Sequence, residues 1–600
     1  MVWWHDAVAA RGRLATVWWL GAAAARGRRV RARRLGAVAA IVAAMVLAGS
    51  GCTVIPVTGP LTVNETGSSD PLSKPFQRMI AIPPQRTWGP EDTVRGLQAA
   101  MAAYADDPSI LPKYLTPEAR AKWNASGPVT VIEDGYEFAP RDGTGSVEKV
   151  TLKGRWVAKI KEDDSYVPTA APWEGTFELV KVEGEGYLVK SLPNGLLLTN
   201  SDVTRAYRAT NLYYVAGPAH DRLVVDRVRL RLKPTETYAQ TILERLLKSP
   251  TAALQGAVTT SFPPGTKIES IRSEERVMIN LSGPIDILDL TAEAALKAQI
   301  RYSLNKNEIA KGRVIEIQVD GEPYSIDRPD SDDDWLAGGS DTAYYVSKGA
   351  VHYMGKDGPA GTVPGPAGEQ REGYSAFALS KDGSQIAART STGISVAGLA
   401  AGGRWQEVIP GAKLTPPTWH QDGSLWTYDQ QNAVLLRYNP SSGRGPERVA
   451  APQLRGLDVT QLRIARDGVR VAVVTAKNTV QIGALTGGAA GTMLGNFQFL
   501  TTTEVGNKIR DIAWSDSEHL LVLVESKAGQ MQLNEINVGD GEVVGVPLKD
   551  ELQSVAALDD RVLAAATTDQ GTKIIELNQD RQTWTVKIES DASSPLFPLG

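Results

Sequence analysis

Five short segments in the C-terminal half repeat one pattern, strand, acidic turn, strand, and this recurrence limits the fold more than any other feature. They are Phe377-Ala-Leu-Ser-Lys-Asp-Gly-Ser-Gln-Ile-Ala, Thr418-Trp-His-Gln-Asp-Gly-Ser-Leu-Trp, Arg463-Ile-Ala-Arg-Asp-Gly-Val-Arg-Val-Ala, Asp511-Ile-Ala-Trp-Ser-Asp-Ser-Glu-His-Leu-Leu and Val555-Ala-Ala-Leu-Asp-Asp-Arg-Val-Leu-Ala. Their turn acids, Asp382, Asp422, Asp467, Asp516 and Asp559, recur roughly every 40–50 residues, the period of four-stranded propeller blades. Each unit supplies a hairpin closed by an Asp-Gly-type turn. A single blade cannot bury both of its faces, so repeats of this length close into a ring. Five motifs predict a five- or six-bladed β-propeller over 335–600, with Tyr344–Met354 adding a strand that completes the last blade.

Ahead of the repeats, residues 206–324 alternate between periods of two and 3.6. Leu212–Val215 and Leu223–Leu232 read as strands, the second with alternating charges, and Thr237–Lys248 reads as a helix that stops before Ser249-Pro250. Ser261-Phe-Pro-Pro-Gly-Thr-Lys267 is a turn, because two prolines and a glycine cannot continue a ladder. Strands follow at Lys267–Ser273 and Arg276–Leu281, then a helix at Thr291–Leu304 and a strand at Val314–Val319 closed by Asp320-Gly321. The pieces LYYV, LVVDRVRLRL, ILERLLKSP, FPPGTKIESI, VMINLS and VIEIQVDGEPY resemble, in this order, the GerMN-type domain associated with spore germination. That resemblance implies an α/β surface-binding module without an established catalytic constellation.

Residues 85–200 form a third region. Val94, Leu97, Met101 and Tyr104 lie on one face of a helix over Glu91–Ala105, whose first turn is acidic. A short helix at Pro117–Asn124 follows. Strands are then expected at Val129–Ile132, Val147–Leu152, Arg155–Lys161, Gly175–Val182 and Gly186–Ser191. Helices followed by a meander describe a small α+β domain, and the element order resembles nuclear transport factor 2-like folds. The chain is therefore expected to be multidomain, α+β and then all-β.

The start of the chain sets its location. Leu35–Cys52, LGAVAAIVAAMVLAGSGC, is an apolar run preceded by six arginines between Arg26 and Arg34 and closed by small residues and the sole cysteine. A basic leader, a short apolar core and a small-residue exit define a secretory signal over 1–51. The apolar part is shorter than the roughly 20 residues that span a bilayer. Ser50, Gly51 and Cys52 match the end of a bacterial lipoprotein signal, which implies cleavage between Gly51 and Cys52 and lipid attachment at Cys52. Gly49 departs from the usual leucine, which leaves an ordinary signal peptide as the alternative. The first 34 residues are long for a basic leader, so initiation is expected downstream, for example at Val30. The Pro-, Gly- and Ser-rich stretch 52–84 then reads as a lipid-anchored tether.

Composition removes several functions. The whole chain holds 64 basic and 68 acidic side chains, but eight arginines and one aspartate fall in the first 51 residues, leaving a body of net charge −11. An acidic exported body argues against nucleic-acid binding. His220, His352, His420 and His519 are scattered without paired ligand spacing, so no metal site is expected. His420 and His519 fall near the turns of two repeats, where a solvated or turn-capping role is the default. The run Asp330, Asp332, Asp333, Asp334 lacks the spaced ligands of a calcium loop and reads as a solvated linker. No nucleophile elbow or phosphate loop is present, so neither catalytic residues nor a cofactor are expected. Trp405, Trp419, Trp426 and Trp514 read as core, with an aromatic ligand surface as the sharper alternative.

The leader, the GerMN-like centre and the propeller coincide with a third signal, Cys52-Thr-Val-Ile-Pro-Val-Thr-Gly-Pro60. Together they resemble the LpqB lipoproteins of actinobacteria over residues 35–600. The resemblance implies an extracytoplasmic lipoprotein that binds the extracellular domain of the sensor histidine kinase of the Mtr two-component system and modulates envelope homeostasis and cell division. An envelope structural module whose propeller binds cell-wall glycan or peptide is the alternative.

Overall fold

The computed structural model describes residues 80–600 except 126, 140–146, 218–220, 233–234, 286–287, 327–334, 337, 339, 488–490 and 570. Gly51, Cys52, most of the tether, His220 and the acidic run Asp330–Asp334 lie outside the described residues.

The first helix, α1 (Pro90–Ala102), opens with proline in its first turn and with Glu91 and Asp92 against the positive end of the helix dipole. Val94, Leu97 and Met101 are buried, as their spacing predicts. The helix stops short of Tyr104, which instead packs edge-on against Trp123 at 6.1 Å. The second helix, α2 (Pro117–Lys122), is capped by Thr116, whose hydroxyl accepts from Ala119 N at 3.2 Å.

Both helices cover a sheet of β1 (Val129–Ile132), β2 (Glu137–Phe138), β3 (Val147–Ile160), β4 (Tyr166–Val182), β5 (Gly186–Ser191) and β6 (Leu197–Thr199), in the order β5-β4-β3-β1-β6 with β2 also on β3. Two separate strands were expected where β3 runs unbroken for 14 residues. Gly154 does not interrupt it because every residue around it is paired with β4, Gly154 itself opposite Trp173. β4 also begins earlier than expected and carries Pro168 and Pro172. β5 pairs only with Glu178–Val182, so those prolines sit on an open edge where no ladder donor is lost.

A capped helix α3 (Asn200–Ala206) leads into the central region, which has two sheets. One is β8 (Arg222–Arg231), β7 (Tyr207–Ala216) and β9 (Val258–Thr259); the other is β10 (Lys267–Ser273), β11 (Val277–Ser282), β12 (Ile315–Val319) and β13 (Glu322–Ile326). Helices α4 (Thr235–Leu246) and α5 (Leu290–Asn305) bury Tyr238, Ile242, Leu246, Leu296, Ile300 and Leu304 between the sheets. The Pro-Pro-Gly-Thr turn forms as read: Thr266 N and Oγ1 both donate to Pro263 O, at 3.2 and 2.8 Å, across Gly265 at φ +94°.

The propeller has six four-stranded blades. The innermost strands are 375–379, 418–419, 459–464, 508–514, 552–558 and 593–596, and each meets the next until 593–596 returns to 375–379. The sixth blade is closed by the C-terminal strand Ser593–Leu596, which pairs with Ala343–Ser347 (Tyr344 opposite Leu596, Val346 opposite Ser593). Residues 343–362 therefore supply three strands of that blade rather than one. This blade has no contiguous hairpin motif because its first two strands lie some 250 residues apart in sequence, which is why five motifs could not fix the number.

Candidate binding face of the propeller

Successive strands in each blade are antiparallel, so the turns after the first and third strands share one face. The openings of the innermost strands share the other. The repeated aspartates build the first face. Asp382 Oδ1 accepts from Ser384 N (3.0 Å), and Asp467 Oδ1 accepts from Val469 N (2.8 Å) and Arg470 N (3.0 Å). Asp516 Oδ1 likewise accepts from Glu518 N and His519 N, at 2.6 and 2.7 Å. A short carboxylate closing its own turn is what makes Asp the recurrent residue there.

The two turn histidines cap their hairpins, as expected. His420 Nε2 is 2.8 Å from Gly468 O, and Asp422 lies 2.8 Å from its Nδ1. His519 Nδ1 is 2.8 Å from Asp516 Oδ2. Burial opposes protonation of His519, but Asp516 outweighs it and raises its pKa.

The central region covers the part of this face formed by the blades that begin at Thr418, Val459 and Lys508, while the turns at Asp382 and Asp559 stay exposed. Arg227 Nε and Arg229 Nη2 both donate to Asp540 Oδ2 at 2.8 Å, and Arg227 Nη2 reaches Glu542 Oε2 at 3.0 Å. Arg222 Nη1 donates to Gln421 Oε1 at 2.9 Å, and Asn211 Nδ2 to Glu518 Oε1 at 3.3 Å. Arg470 donates to Val225 O. A Cβ at Gly539 would lie 2.6 Å from Arg227 Cβ, so the approach requires glycine. The central core runs on into the blades through Val469 and Ala484. Arg229 also ties in the N-terminal region, its N–H donating to Asp164 O at 2.9 Å and its guanidinium lying 5.0 Å from the Tyr166 ring. Asp540 is 1% exposed, and burial alone would raise its pKa; Arg227 and Arg229 instead hold it below the ordinary carboxylate range. The alternating charges of β8, read only as a strand pattern, are this joint.

The opposite face holds a cavity of about 370 Å³ at the ring axis. Arg389, Arg463 and Arg510 enter it from three blades, with Gln461, Gln553 and Asp511 between them. Arg389 Nη1 donates to Leu414 O at 3.2 Å and Arg463 Nη1 to Pro417 O at 3.1 Å. Neither forms an ion pair among the described residues, whereas Arg510 pairs with Glu525. Burial, with repulsion from Arg389, lowers the pKa of Arg463 despite the nearby Asp511. Asp511 is itself raised by burial, and its oxygens accept from Ile512 N and Val555 N, both at 3.0 Å. Gln461 Nε2 donates to Arg510 O at 2.8 Å, while its Oε1 is buried without a partner.

The cavity has a floor. Arg466 donates to Pro598 O and to Ala557 O (2.9 Å), pinning the C-terminal segment across the axis, where Phe597 and Leu599 are buried. Burial lowers the pKa of Arg466 to about 10. The mouth is thus a cup, rich in donors and lined by blade backbone. Sequence reading missed it because its arginines come from different repeats and look individually like ordinary solvated charges.

The tryptophans do not form a ligand surface. Trp419, Trp426 and Trp514 are 2% exposed. Trp419 Nε1 donates to Ala378 O (3.0 Å) and Trp514 Nε1 to Arg463 O (3.1 Å), each across to the preceding blade. Trp405 is half-buried against Tyr374, ring centroids 4.7 Å apart. His352 stacks on Tyr345 within the sixth blade.

Three family models match in succession: the Lipoprotein LpqB N-terminal domain over residues 83–204, the sporulation and spore germination domain over 211–325, and the Lipoprotein LpqB beta-propeller domain over 353–598. Lipoprotein LpqB of Thermobifida fusca is 27% identical over 93% of this chain and 98% of its own. Lipoprotein LpqB of Streptomyces avermitilis is 26% identical over 91% and 97%, and that of Streptomyces coelicolor 28% over 88% and 92%. With the three regions in the same order as the three models, and relatives aligned along almost their whole length, the chain belongs to the LpqB lipoprotein family.

Proposed function

We propose that this chain is a lipoprotein anchored through Cys52 to the outer face of the cell membrane, where it binds the extracellular domain of an Mtr-type sensor histidine kinase and modulates its signalling. The role is non-catalytic and bears on envelope homeostasis and division. The name shared by its relatives and the leader ending at Gly51-Cys52 support the anchor. Among the described residues no helix is long and apolar enough to cross a membrane.

One observation carries the binding role: part of one propeller face is taken up by the joint, and the other face presents a charged cup at its centre. A bound partner alters signalling only by favouring one kinase conformation over another. Holding both proteins on one membrane raises their effective concentration, so a weak contact suffices.

The test is co-purification from detergent-solubilised membranes. The anchored chain is expected to recover the kinase, and Cys52→Ala is expected to release the chain from the membrane fraction. Recovery of other envelope proteins but never the kinase contradicts the partner; full membrane retention of Cys52→Ala without acylation contradicts the anchor. Retention by isolated cell wall with no kinase favours the structural-module alternative.

A further inference from the structure

We infer that the cup on the open face of the propeller is a binding site for a short acidic peptide segment, whose carboxylates sit between Arg389 and Arg463 and whose backbone N–H groups meet Gln461. The inference rests on the open face being the recognition surface, but not on the partner being a kinase.

Two features select the ligand. Arg389 and Arg463 donate only to backbone carbonyls, at 3.2 and 3.1 Å, and form no ion pair among the described residues, although Asp511 lies near enough to act on Arg463. A guanidinium retains several donors after one such bond and suits a carboxylate or phosphate. The mouth's own carboxylate, Asp511, is committed to the backbone N–H groups of Ile512 and Val555. The second feature decides between carboxylate and phosphate polymers. Gln461 Oε1 is a buried acceptor without a donor, and a buried unmet acceptor is costly. A peptide brings both an anion and N–H donors, whereas a polyphosphate brings acceptors alone. Phe377, Pro416, Ile512 and Leu596 supply apolar wall for the stems of acidic side chains. At about 370 Å³ the cup holds on the order of a dozen waters at ~30 Å³ each, the scale of a few side chains. Its floor at Gly600 makes it end-blocked, which favours a segment tip over a threaded chain.

Calorimetric titration of the full chain in detergent micelles tests this, with blocked tetraglutamate, tripolyphosphate and tetralysine as probes. Tetraglutamate is expected to bind and tetralysine not to bind. Arg389→Gln and Arg463→Gln should each weaken tetraglutamate about tenfold or more, the loss of one charge-assisted contact. Arg389→Lys should fall between. Gln461→Leu should weaken tetraglutamate about fivefold and leave any tripolyphosphate binding unchanged. The unfolding midpoint of each variant must match the parent; if Arg463→Gln does not fold, the exposed Arg510→Gln replaces it, with a smaller loss expected. No binding of tetraglutamate, or binding indifferent to both Arg389→Gln and Gln461→Leu, overturns the inference. So does tripolyphosphate binding tighter than tetraglutamate. Recovery of the kinase without tetraglutamate binding removes the peptide chemistry alone. Arginine-dependent tetraglutamate binding without kinase recovery keeps the site and removes the kinase.

Discussion

Arginines stand at both faces of the propeller, those of β8 from the central region at one and the propeller's own at the other, and they are used in opposite ways. At the joint, Arg227 and Arg229 share a buried acid at 2.8 Å, and Glu542 takes up the second arm of Arg227. On the open face, Arg389 and Arg463 meet only carbonyl oxygens. Arginine saturated by acids fixes three regions into one body, while arginine left short of acids is available to a ligand. Cation count alone does not separate structure from recognition; the local count of acceptors does.

The largest break in this comparison is expected from Asp540→Ala. Removing one partner of a buried ion pair leaves charge uncompensated and costs about 3–5 kcal/mol; here Arg229 loses its acid while Arg227 keeps Glu542. The unfolding midpoint should fall steeply, and limited proteolysis should cut between the central region and the propeller. An unchanged midpoint would mean that the joint is held by Val469, Ala484 and their apolar neighbours instead.

Acid should loosen the same joint. The Asp540 pKa is depressed in the folded protein, so its contribution is present above the ordinary value near 3.8 and is lost as pH falls through the still lower folded value. Separation of the regions below about pH 4, followed by protease accessibility, is the expected result. Arg227→Gln together with Arg229→Gln should abolish that acid step.

A smaller effect is expected at His519. Its pKa is raised by Asp516, so its contribution is complete below about pH 6.5 and is lost as pH rises through the higher folded value. His519→Gln should remove a shallow decline in stability above neutrality, of about 1 kcal/mol or less for a half-exposed pair.

Smallest of all should be the structural effect of changing the cup. Arg510→Gln removes a half-exposed side chain paired with Glu525 and should shift stability by no more than about 1 kcal/mol.

Much of the ring was legible because its signal is local. Asp382, Asp467 and Asp516 close turns with their own next few amides, so the chemistry that demands them repeats wherever a hairpin does. The sixth blade was not legible as a unit, because Ser593–Leu596 pairs with Ala343–Ser347 across most of the propeller's sequence. In β3 and β4, pairing along the whole hairpin overrode Gly154, and an open edge tolerated Pro168 and Pro172. The joint was half legible. The charges of β8 stand out at every second residue, but nothing local says that Asp540 lies opposite. The cup was invisible, since Arg389, Arg463 and Arg510 converge only once the ring has closed.

On the proposed function, the open face recognises the kinase while the joint on the other face holds the body together. The most direct measurement compares kinase-ectodomain affinity for the parent chain, for Arg389→Gln with Arg463→Gln, and for His519→Gln on the other face, at low and high salt. The cup variant should lose at least tenfold in affinity and most of its salt dependence, while His519→Gln should match the parent. Equal affinity for the cup variant and the parent, with loss confined to His519→Gln, would place recognition on the other face instead.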